Sequence, residues 1–523
     1  MTAWMIWLAL AVQGPDTVVV CPPAARDAMN PWLERRTGQG HRIAVIEPGP
    51  TALATRDAIR KIARYSLLRA IVLVGDARGP IAVPTFVRAT PVSHRFGGMD
   101  RIATDSPYAD LDDDHVPDLA VGRFTVRTVE QLTDWEKKIE DFEQRGGSWR
   151  RRVELVAGVG GFSPVLDRAI DQTVGRLLSA SLPAEYEPGF TQADWRSPFC
   201  PDPRTFHDAT RASLDRGAVF WIYMGHGQPF GLDRVTAPNG RFPIMTMGDI
   251  DELKYRQAPS IALLFACYTG AFYAEESFAE RLVRHRHGPV GAVAASGVTM
   301  PYGMAILGDG MAHAFFSNRH ATLGDLFFAA KRSLVDKHAL QRRRWLHWMA
   351  TLLSPNRDLD GERREHIDLF QLLGDPLLRL PQPESIELTG PDRVRAGEKL
   401  EVTLRAPWNG TGRVELVADL DAHRNRYARR TVFDPQPEVL SQYNRRYDEA
   451  NNRQWHQEPI TCRSRRSQRV TIDVPPTVKG KCHLVVYVED ATGRFAIGGC
   501  KVDVEPAAKD VARGGPARAT AGG

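Results

Sequence analysis

The sequence predicts an α/β protein with a parallel sheet in two subdomains, followed by a small β-sandwich. From Asp16 to Phe142 apolar strands alternate with helical stretches, and the same alternation returns from Arg151 to about Pro381. This alternation is typical of parallel sheets, because each crossover helix covers a face of the sheet. After Leu380, runs of alternating apolar and polar residues stand between Pro and Gly turns, which is typical of a β-sandwich.

The changes of pattern divide the chain into five segments. We expect a signal peptide over 1–15, an N-terminal α/β subdomain over 16–148, a second α/β subdomain over 149–381, a β-sandwich over 382–505 and a disordered tail over 506–523. Inside the sandwich, Arg424 to Gln468 is a long polar insertion that we expect to be mobile. Cys482 and Cys500 flank a predicted hairpin and would form a disulfide in an exported protein.

The elements follow in order along the chain. The first subdomain has predicted strands Thr17–Cys21, Arg42–Ile46 and Ala70–Val74, and predicted helices Ala24–Thr37, Thr51–Ser66 and Thr128–Gln144. The second has strands Val153–Ala157, Ala218–Met224, Ser260–Ala266 and Pro289–Ala295, and helices Asp167–Ser181, Pro203–Arg216, Thr246–Tyr255, Glu275–Arg286, Gly303–Phe316 and Leu323–Val335. The sandwich has strands Glu401–Arg405, Arg413–Val417, Arg469–Asp473, His483–Tyr487 and Gly499–Asp503.

Composition and the N-terminus limit the partners and the location. The 68 basic and 63 acidic residues leave a net charge of only +5 over 523 residues, so we expect no nucleic-acid partner. The apolar run Ala3 to Val12 is too short to span a bilayer, and Ala9-Leu10-Ala11 has the form of a signal-peptidase site. We therefore expect a secreted or cell-envelope protein, peripheral to a membrane at most; the alternative is a frayed N-terminus that leads into the first strand.

Two apolar runs of the second subdomain are followed by residues whose side chains can take part in catalysis. Ser260 to Ala266 is followed at once by Cys267, and Ala218 to Met224 is followed by Gly225-His226-Gly227. The Cys and the His are 267 − 226 = 41 residues apart, which fits one crossover between neighbouring parallel strands. Because ligands bind at the carboxyl ends of parallel strands, both side chains would lie at the binding edge of the sheet.

A Cys beside a His is the arrangement that nucleophilic catalysis by a thiolate requires. The His removes the thiol proton, and the backbone N–H groups of Gly227 and Cys267 would be the oxyanion donors. Each residue alone has a plainer interpretation, since a Gly-His-Gly histidine can be a turn residue and a Cys after an apolar run can be buried and inert.

Carboxylates at two other places suggest further sites. Asp110, Asp112, Asp114 and Asp118 offer oxygen ligands of the kind that Ca²⁺ prefers, although the EF-hand glycine and the final glutamate are missing. The alternative is a solvated acidic turn. Asp309 follows the strand after Cys267, and it would either form the floor of a specificity pocket for Arg or Lys or cap a helix.

The motifs around the His and the Cys resemble those of gingipain-type cysteine peptidases, which have a caspase-like fold. The resemblance rests on Trp221-Ile-Tyr-Met-Gly-His-Gly227 and Leu264-Phe-Ala-Cys-Tyr-Thr-Gly-Ala-Phe272, and it is supported in order by Val72-Leu-Val-Gly-Asp76, Tyr108-Ala-Asp-Leu-Asp112, Pro117-Asp-Leu-Ala-Val-Gly-Arg-Phe124 and Phe370-Gln-Leu-Leu-Gly-Asp-Pro376. It implies a caspase-like parallel-sheet sandwich in two subdomains and an Ig-like module after it. It also implies Cys267 as nucleophile, His226 as base, an acyl-enzyme intermediate and bound structural calcium.

The sequence departs from the family at the acidic residue that often stands near the catalytic His. Ala157-Gly-Val-Gly-Gly161 contains no carboxylate, and Asp167 and Asp202 are the candidates to replace it. We therefore expect an exported cysteine endopeptidase that acts on protein or peptide substrates through a Cys-His dyad and needs no cofactor for its chemistry. The alternatives are a sortase-like transpeptidase of the same fold at the cell surface and a non-catalytic scaffold.

Overall fold

The fold was analysed in a computed structural model of the chain. The structure describes residues 14–158, 182–255, 257–273, 275–354, 356–420, 424–425 and 427–507. The predicted helix Asp167–Ser181, most of the predicted signal peptide and nearly all of the predicted tail lie outside these residues. Among the described residues, no helix combines the length and the apolar character needed to cross a membrane.

Sixteen strands and eleven α-helices are described up to residue 381. The strands are β1 (Thr17–Val20), β2 (Ile43–Ile46), β3 (Ala70–Val74), β4 (Phe86–Ala89), β5 (Arg101–Thr104), β6 (Ala120–Phe124), β7 (Arg152–Ala157), β8 (Glu187–Gln192), β9 (Phe220–Met224), β10 (Gly227–Gln228), β11 (Gly231–Leu232), β12 (Arg234–Ala237), β13 (Gly240–Pro243), β14 (Ile261–Phe265), β15 (Gly291–Ala295) and β16 (Phe370–Leu373). The helices are Asn30–Gly38, Ala52–Ala63, Val129–Gln144, Phe206–Asp215, Met247–Ile250, Phe278–Arg284, Pro301–Ala312, Leu323–Ser333, Lys337–Arg342, Arg344–Leu353 and Leu359–Leu369.

Ten of the strands form one sheet that runs through both predicted subdomains. Their order is β2-β1-β3-β6-β16-β15-β14-β9-β7-β8. Neighbours are parallel throughout, except for the antiparallel pair β15 and β16. The central strands are buried on both faces, which explains their continuous apolar sequences. The prediction of a parallel-rich α/β sheet is confirmed.

The predicted crossover helix Thr246–Tyr255 is wrong for most of its length. The helix covers only Met247–Ile250, and two small hairpins, β10/β11 and β12/β13, make up much of the connection between β9 and β14. In β12 exposed and buried residues alternate, which is the strand period. Gly240 has a φ of 150° and supplies the turn to β13.

The C-terminal segment contains two sheets that share one apolar core. Its strands are β17 (Glu384–Ser385), β18 (Glu387–Thr389), β19 (Arg393–Arg395), β20 (Lys399–Arg405), β21 (Gly410–Ala418), β22 (Gln454–Cys462), β23 (Ser467–Asp473), β24 (Gly480–Glu489) and β25 (Phe495–Glu505). One sheet has the order β17-β25-β24-β21-β22 with β19 beside β25, and the other has the order β18-β20-β23. Val402 and Leu404 of one sheet share a buried cluster with Leu484 and Val486 of the other.

The polar insertion is ordered, contrary to the prediction, in the parts that the structure describes. It contains the helix Pro437–Asn451 and the strand β22 (Gln454–Cys462). The helix buries Leu440, Tyr443 and Tyr447 on one side, an apolar stripe that the many charged neighbours conceal in the sequence.

This insertion helix covers one edge of the ten-stranded sheet, the edge formed by β8. The side chain of Asn451 accepts a hydrogen bond from the Phe190 N–H at 2.8 Å and donates one to the Phe190 carbonyl at 3.0 Å. The Tyr447 hydroxyl lies 2.8 Å from the Thr191 hydroxyl. Because Phe190 and Thr191 belong to β8, the insertion satisfies backbone groups that an edge strand otherwise leaves unpaired.

The predicted disulfide is absent, since Cys482 and Cys500 are both free thiols. The two strands that carry them are paired, but the register places Cys482 opposite Val502 and Cys500 opposite Leu484. The two cysteines are therefore offset by two residues along the ladder and do not face each other.

Candidate active site

Strands β9 and β14 are parallel neighbours, as the sequence predicts. Their register pairs Met224 with Phe265, and the Gly225 N–H continues the pairing with a hydrogen bond to the Phe265 carbonyl at 3.3 Å. His226 follows directly after Gly225 at the end of β9, and Cys267 lies two residues after Phe265 at the end of β14. Both side chains are half-buried. The two candidate catalytic residues therefore leave the same edge of the sheet from adjacent strands.

Gly227 lies directly against the cysteine segment. A Cβ atom on Gly227 would lie 2.7 Å from the Cys267 carbonyl oxygen and 2.7 Å from Cγ2 of Thr269. No side chain fits there, so the glycine is required for the backbone after His226 to approach the backbone of Cys267. This contact brings the His and Cys motifs together.

A buried tyrosine fixes the turn that carries His226. The Tyr223 hydroxyl donates a hydrogen bond to the His226 carbonyl at 2.6 Å. Burial raises the pKa of Tyr223 well above its usual value, so the phenol stays protonated and remains a donor.

The chain turns sharply immediately after the cysteine. Tyr268 has a φ of 58°, in the left-handed region that non-glycine residues rarely adopt, and its N–H donates to the Gly297 carbonyl at 3.0 Å. Within the described part of the chain, the N–H of Cys267 donates no backbone hydrogen bond. Left-handed residues of this kind occur at active sites, where the surrounding structure holds the backbone in place.

Thr299 contacts the thiol and was not identified from the sequence. Its N–H donates to Cys267 Sγ at 3.3 Å, its hydroxyl lies 3.5 Å from Sγ, and its carbonyl lies 3.8 Å from Sγ. A signal did exist, because Thr299 follows β15, the other neighbour of β14, and residues after adjacent parallel strands share one edge.

A buried histidine and glutamate hold the segment after Thr299. His366 accepts the Met300 N–H at Nε2 over 3.1 Å, and its Nδ1 donates to the Glu362 carbonyl over 2.7 Å. The Glu362 carboxylate accepts the Gly303 N–H at 2.9 Å. These bonds anchor the start of the helix Pro301–Ala312 and with it the position of Thr299.

Of the two carboxylates proposed as orienting acids, Asp202 lies among the described residues. Asp167 lies outside the described residues. Asp202 accepts the Arg204 N–H at 3.0 Å and forms an ion pair with the Arg204 guanidinium at 2.7 Å, so its carboxylate caps a local turn. The carboxylate of Asp202 therefore has a local structural partner, and the orienting acid for His226 stays a prediction.

Asp309 does not form an open pocket floor. Its carboxylate forms an ion pair with Arg343, which is itself buried. Asp309 also lies eight residues into the helix Pro301–Ala312, about 12 Å along the axis at ~1.5 Å per residue. The prediction that Asp309 selects basic substrates is corrected, because its negative charge already has a partner.

Three of the four aspartates of the acidic turn converge. Asp110, Asp112 and Asp118 each offer a carboxylate oxygen within 4.8 Å of the other two, whereas Asp114 caps the Val116 N–H at 2.7 Å. Oδ2 of Asp110 is buried with no hydrogen-bond partner among the described residues. Burial, reinforced by the neighbouring aspartates, raises the pKa of Asp118. A hard divalent cation such as Ca²⁺ fits this all-oxygen set.

A parallel-rich α/β sheet with a His and a Cys at adjacent strand ends defines the chain as a candidate cysteine peptidase. The sequence model of peptidase family C25 matches residues 11–381, so the chain belongs to this family and is a cysteine-type peptidase. A comparison with curated proteins finds no match.

Solved structures share the fold at low identity. The Arg-specific cysteine proteinase gingipain R is 17% identical over 95% of this chain and 99% of its own, with a TM-score of 0.54. The complex of the pro- and mature domains of RgpB from Porphyromonas gingivalis is 16% identical over 94% of this chain and 100% of its own, with a TM-score of 0.54. A third structure, described as a protease, is 14% identical over 93% and 97%, with a TM-score of 0.55.

Proposed function

We propose that this peptidase is an exported endopeptidase that works through Cys267 and His226. The observation that carries the proposal is the close contact between Gly227 and the Cys267 backbone, which brings the two motifs to one edge of the sheet. Membership of a peptidase family gives protein or peptide substrates. The apolar segment Ala3 to Val12 supports export, and the two-sheet C-terminal module supports the Ig-like assignment of 382–505.

The proposed reaction is an acyl transfer in two halves. His226 removes the Cys267 thiol proton, and the thiolate attacks the scissile carbonyl to form a C–S bond. The oxyanion that develops accepts hydrogen bonds from the N–H groups of Cys267 and Gly227. His226 then gives its proton to the leaving amine, the C–N bond breaks, and a water deprotonated by His226 hydrolyses the thioester and releases the thiol.

Thr299 supports the first half of this reaction. Its N–H donates to Sγ, so the bond strengthens when the sulfur becomes negative. A thiolate with such a donor depends less on a third, acidic residue. We therefore propose a dyad assisted by Thr299.

We also propose a structural Ca²⁺ at Asp110, Asp112 and Asp118. The buried Oδ2 of Asp110 supports it, because this atom accepts no hydrogen bond among the described residues and its ion-pair contact with Arg56 is long, at 3.6 Å. When bound, the cation would neutralise the acidic turn, and no step of the reaction uses it.

The test of the dyad compares two cysteine variants. Cys500 is a free, half-buried thiol like Cys267, but it lies in strand β25 of the C-terminal module. We expect Cys267→Ala to abolish hydrolysis of a protein substrate and Cys500→Ala to leave it intact, with unchanged circular dichroism in both. Residual hydrolysis by purified Cys267→Ala would overturn the nucleophile assignment. Adding an amine acceptor to the wild-type assay detects transpeptidation as a ligated product.

A further inference from the structure

We infer that the exposed face of the helix Arg344–Leu353 docks on an anionic lipid surface. Trp345, Trp348 and Leu352 are here named the tryptophan stripe, and their exposed fractions are 41%, 62% and 61%. Their spacing of three and then four residues places all three on one side of the helix. Large apolar side chains that are exposed together, beside polar residues, mark an interaction surface.

The other side of this helix is packed against the second α/β subdomain. Leu346 is buried, and Ala350 packs against the main apolar core. Arg343, directly before the helix, is buried and forms an ion pair with Asp309. The fold therefore uses one apolar side of the helix, holds the helix in place through it, and leaves the tryptophan stripe exposed.

The segment around the stripe is basic and contains no acidic residue. From Lys337 to Arg357 the sequence has five Lys and Arg residues and no Asp or Glu. Lys337, Arg344 and Arg357 are exposed. Positive side chains beside an apolar stripe match a surface whose negative head groups cover an apolar interior. The charge of the segment therefore favours an anionic bilayer as the partner.

The carboxylates at the two ends of this segment are directed to helix starts. Asp336 accepts the His338 N–H at 3.0 Å, and Asp358 accepts the Gly361 N–H at 2.8 Å. A carboxylate that caps a helix start is offset by the positive end of the helix dipole. These two acids therefore oppose the basic side chains of the segment only weakly.

The size of the stripe favours a lipid surface over a protein partner. Its exposed apolar area is about 400 Å² at most, because a large side chain presents no more than ~250 Å². A stable protein interface takes about 800 Å² from each partner. A bilayer needs no complementary pocket, and tryptophan concentrates at the membrane interface because its ring is apolar and its N–H binds polar head groups.

The helix is attached to the segment that contacts the candidate nucleophile. The Tyr302 hydroxyl lies 3.0 Å from Nδ1 of His347, in the middle of the helix. Tyr302 is the second residue of the helix Pro301–Ala312 and lies three positions after Thr299, which contacts Cys267. Docking of the stripe would therefore hold this edge of the sheet near a membrane surface and bring proteins displayed there within reach.

The experiment measures co-sedimentation of the purified full chain with two kinds of vesicle, phosphatidylcholine alone and phosphatidylcholine mixed with phosphatidylglycerol. We expect binding to the mixed vesicles to be about tenfold tighter or more, because three exposed basic side chains contribute, and to weaken as salt is added. Arg344→Gln should weaken binding to the mixed vesicles about fivefold, the contribution of one basic side chain.

The stripe itself is tested by serine substitutions with a matched control. Trp348→Ser should weaken binding to the mixed vesicles about tenfold or more, and Leu352→Ser about fivefold or more, because each removes apolar surface that the bilayer buries. Leu53→Ser is the control, since Leu53 is 57% exposed on the helix Ala52–Ala63, which follows β2, the last strand at one end of the sheet. We expect Leu53→Ser to bind like the wild type.

Four outcomes would overturn the inference. They are no binding to the mixed vesicles, equal binding to both kinds of vesicle, stripe variants that bind like Leu53→Ser, and a dimer in sedimentation velocity that Trp348→Ser dissociates, which would identify a second copy as the partner. Acrylamide quenching of tryptophan fluorescence adds a check, because an equal quenchable fraction in the wild type and in Trp348→Ser would show that the stripe is already covered. None of these results bears on the dyad, since the vesicle assay contains no peptide substrate and hydrolysis of a dissolved peptide is measured separately.

Discussion

Replacing Thr299 with valine isolates the hydroxyl that faces the nucleophile. Valine has nearly the same shape and leaves the backbone N–H, with its 3.3 Å contact to Sγ, in place. The change therefore removes only the hydroxyl, which lies 3.5 Å from Sγ. Because Thr299 is buried, water cannot easily replace the lost donor.

The expected loss follows from the strength of a hydrogen bond to a charged group. Such bonds contribute about 1.5–3 kcal/mol, and the long O···S contact puts this one at the lower end. A loss of about 1.5 kcal/mol from the transition state corresponds to roughly a tenfold fall in kcat/KM. The fall should appear in kcat, since the hydroxyl contacts the sulfur and not the substrate.

Two measurements check this reasoning. Peptide hydrolysis gives kcat and KM, and the rate of alkylation by iodoacetamide reports the nucleophilicity of Cys267 without any substrate. Both rates should fall in Thr299→Val and recover in Thr299→Ser, which restores the hydroxyl. Wild-type rates in Thr299→Val, or equal losses in both variants, would refute a role for the hydroxyl.

Three further predictions concern stability. Millimolar Ca²⁺ should raise the melting temperature of the wild type and of Asp114→Asn but not of Asp110→Asn, because Asp114 lies outside the converging set; an equal shift in all three would exclude the site. Asn451→Ala should lower the free energy of unfolding in guanidinium by about 2 kcal/mol, since both hydrogen bonds to Phe190 are lost; no loss would mean that water replaces them. Burial, with nearby basic groups, lowers the pKa of His285 to about 4 from 6.5. The unfolded chain thus binds a proton that the folded chain does not, so stability should fall as the pH drops from about 6.5 to about 4, and His285→Asn should flatten that part of the melting curve against pH.

The sequence predicted the adjacency of His226 and Cys267 because that adjacency depends on local patterns. Each residue ends a continuous apolar strand, and one crossover joins the two strands. The Thr299 contact was accessible by the same argument applied to the next strand, β15. It was missed because a threonine after an apolar strand does not by itself indicate a catalytic role.

Other features depend on partners that are distant in the chain. The salt bridge that occupies Asp309 comes from Arg343, and the groups that order the insertion helix include Phe190 and Thr191 in the catalytic sheet. No local pattern reveals such contacts. The charged neighbours of Leu440 and Tyr443 favour the prediction of a mobile loop. Most residues of this helix face solvent, and only a narrow stripe of side chains is buried.

The position of β16 has a consequence for how the enzyme is made. This strand is the last of the ten to leave the ribosome, yet it lies in the middle of the sheet, between β6 and β15. Until residues Phe370–Leu373 have been synthesised, β6 and β15 each present an open edge, and the sheet exists as two separate halves. The ten-stranded sheet is therefore completed only late in translation, and a nascent chain that already carries Cys267 and His226 still lacks the strand that joins its two halves.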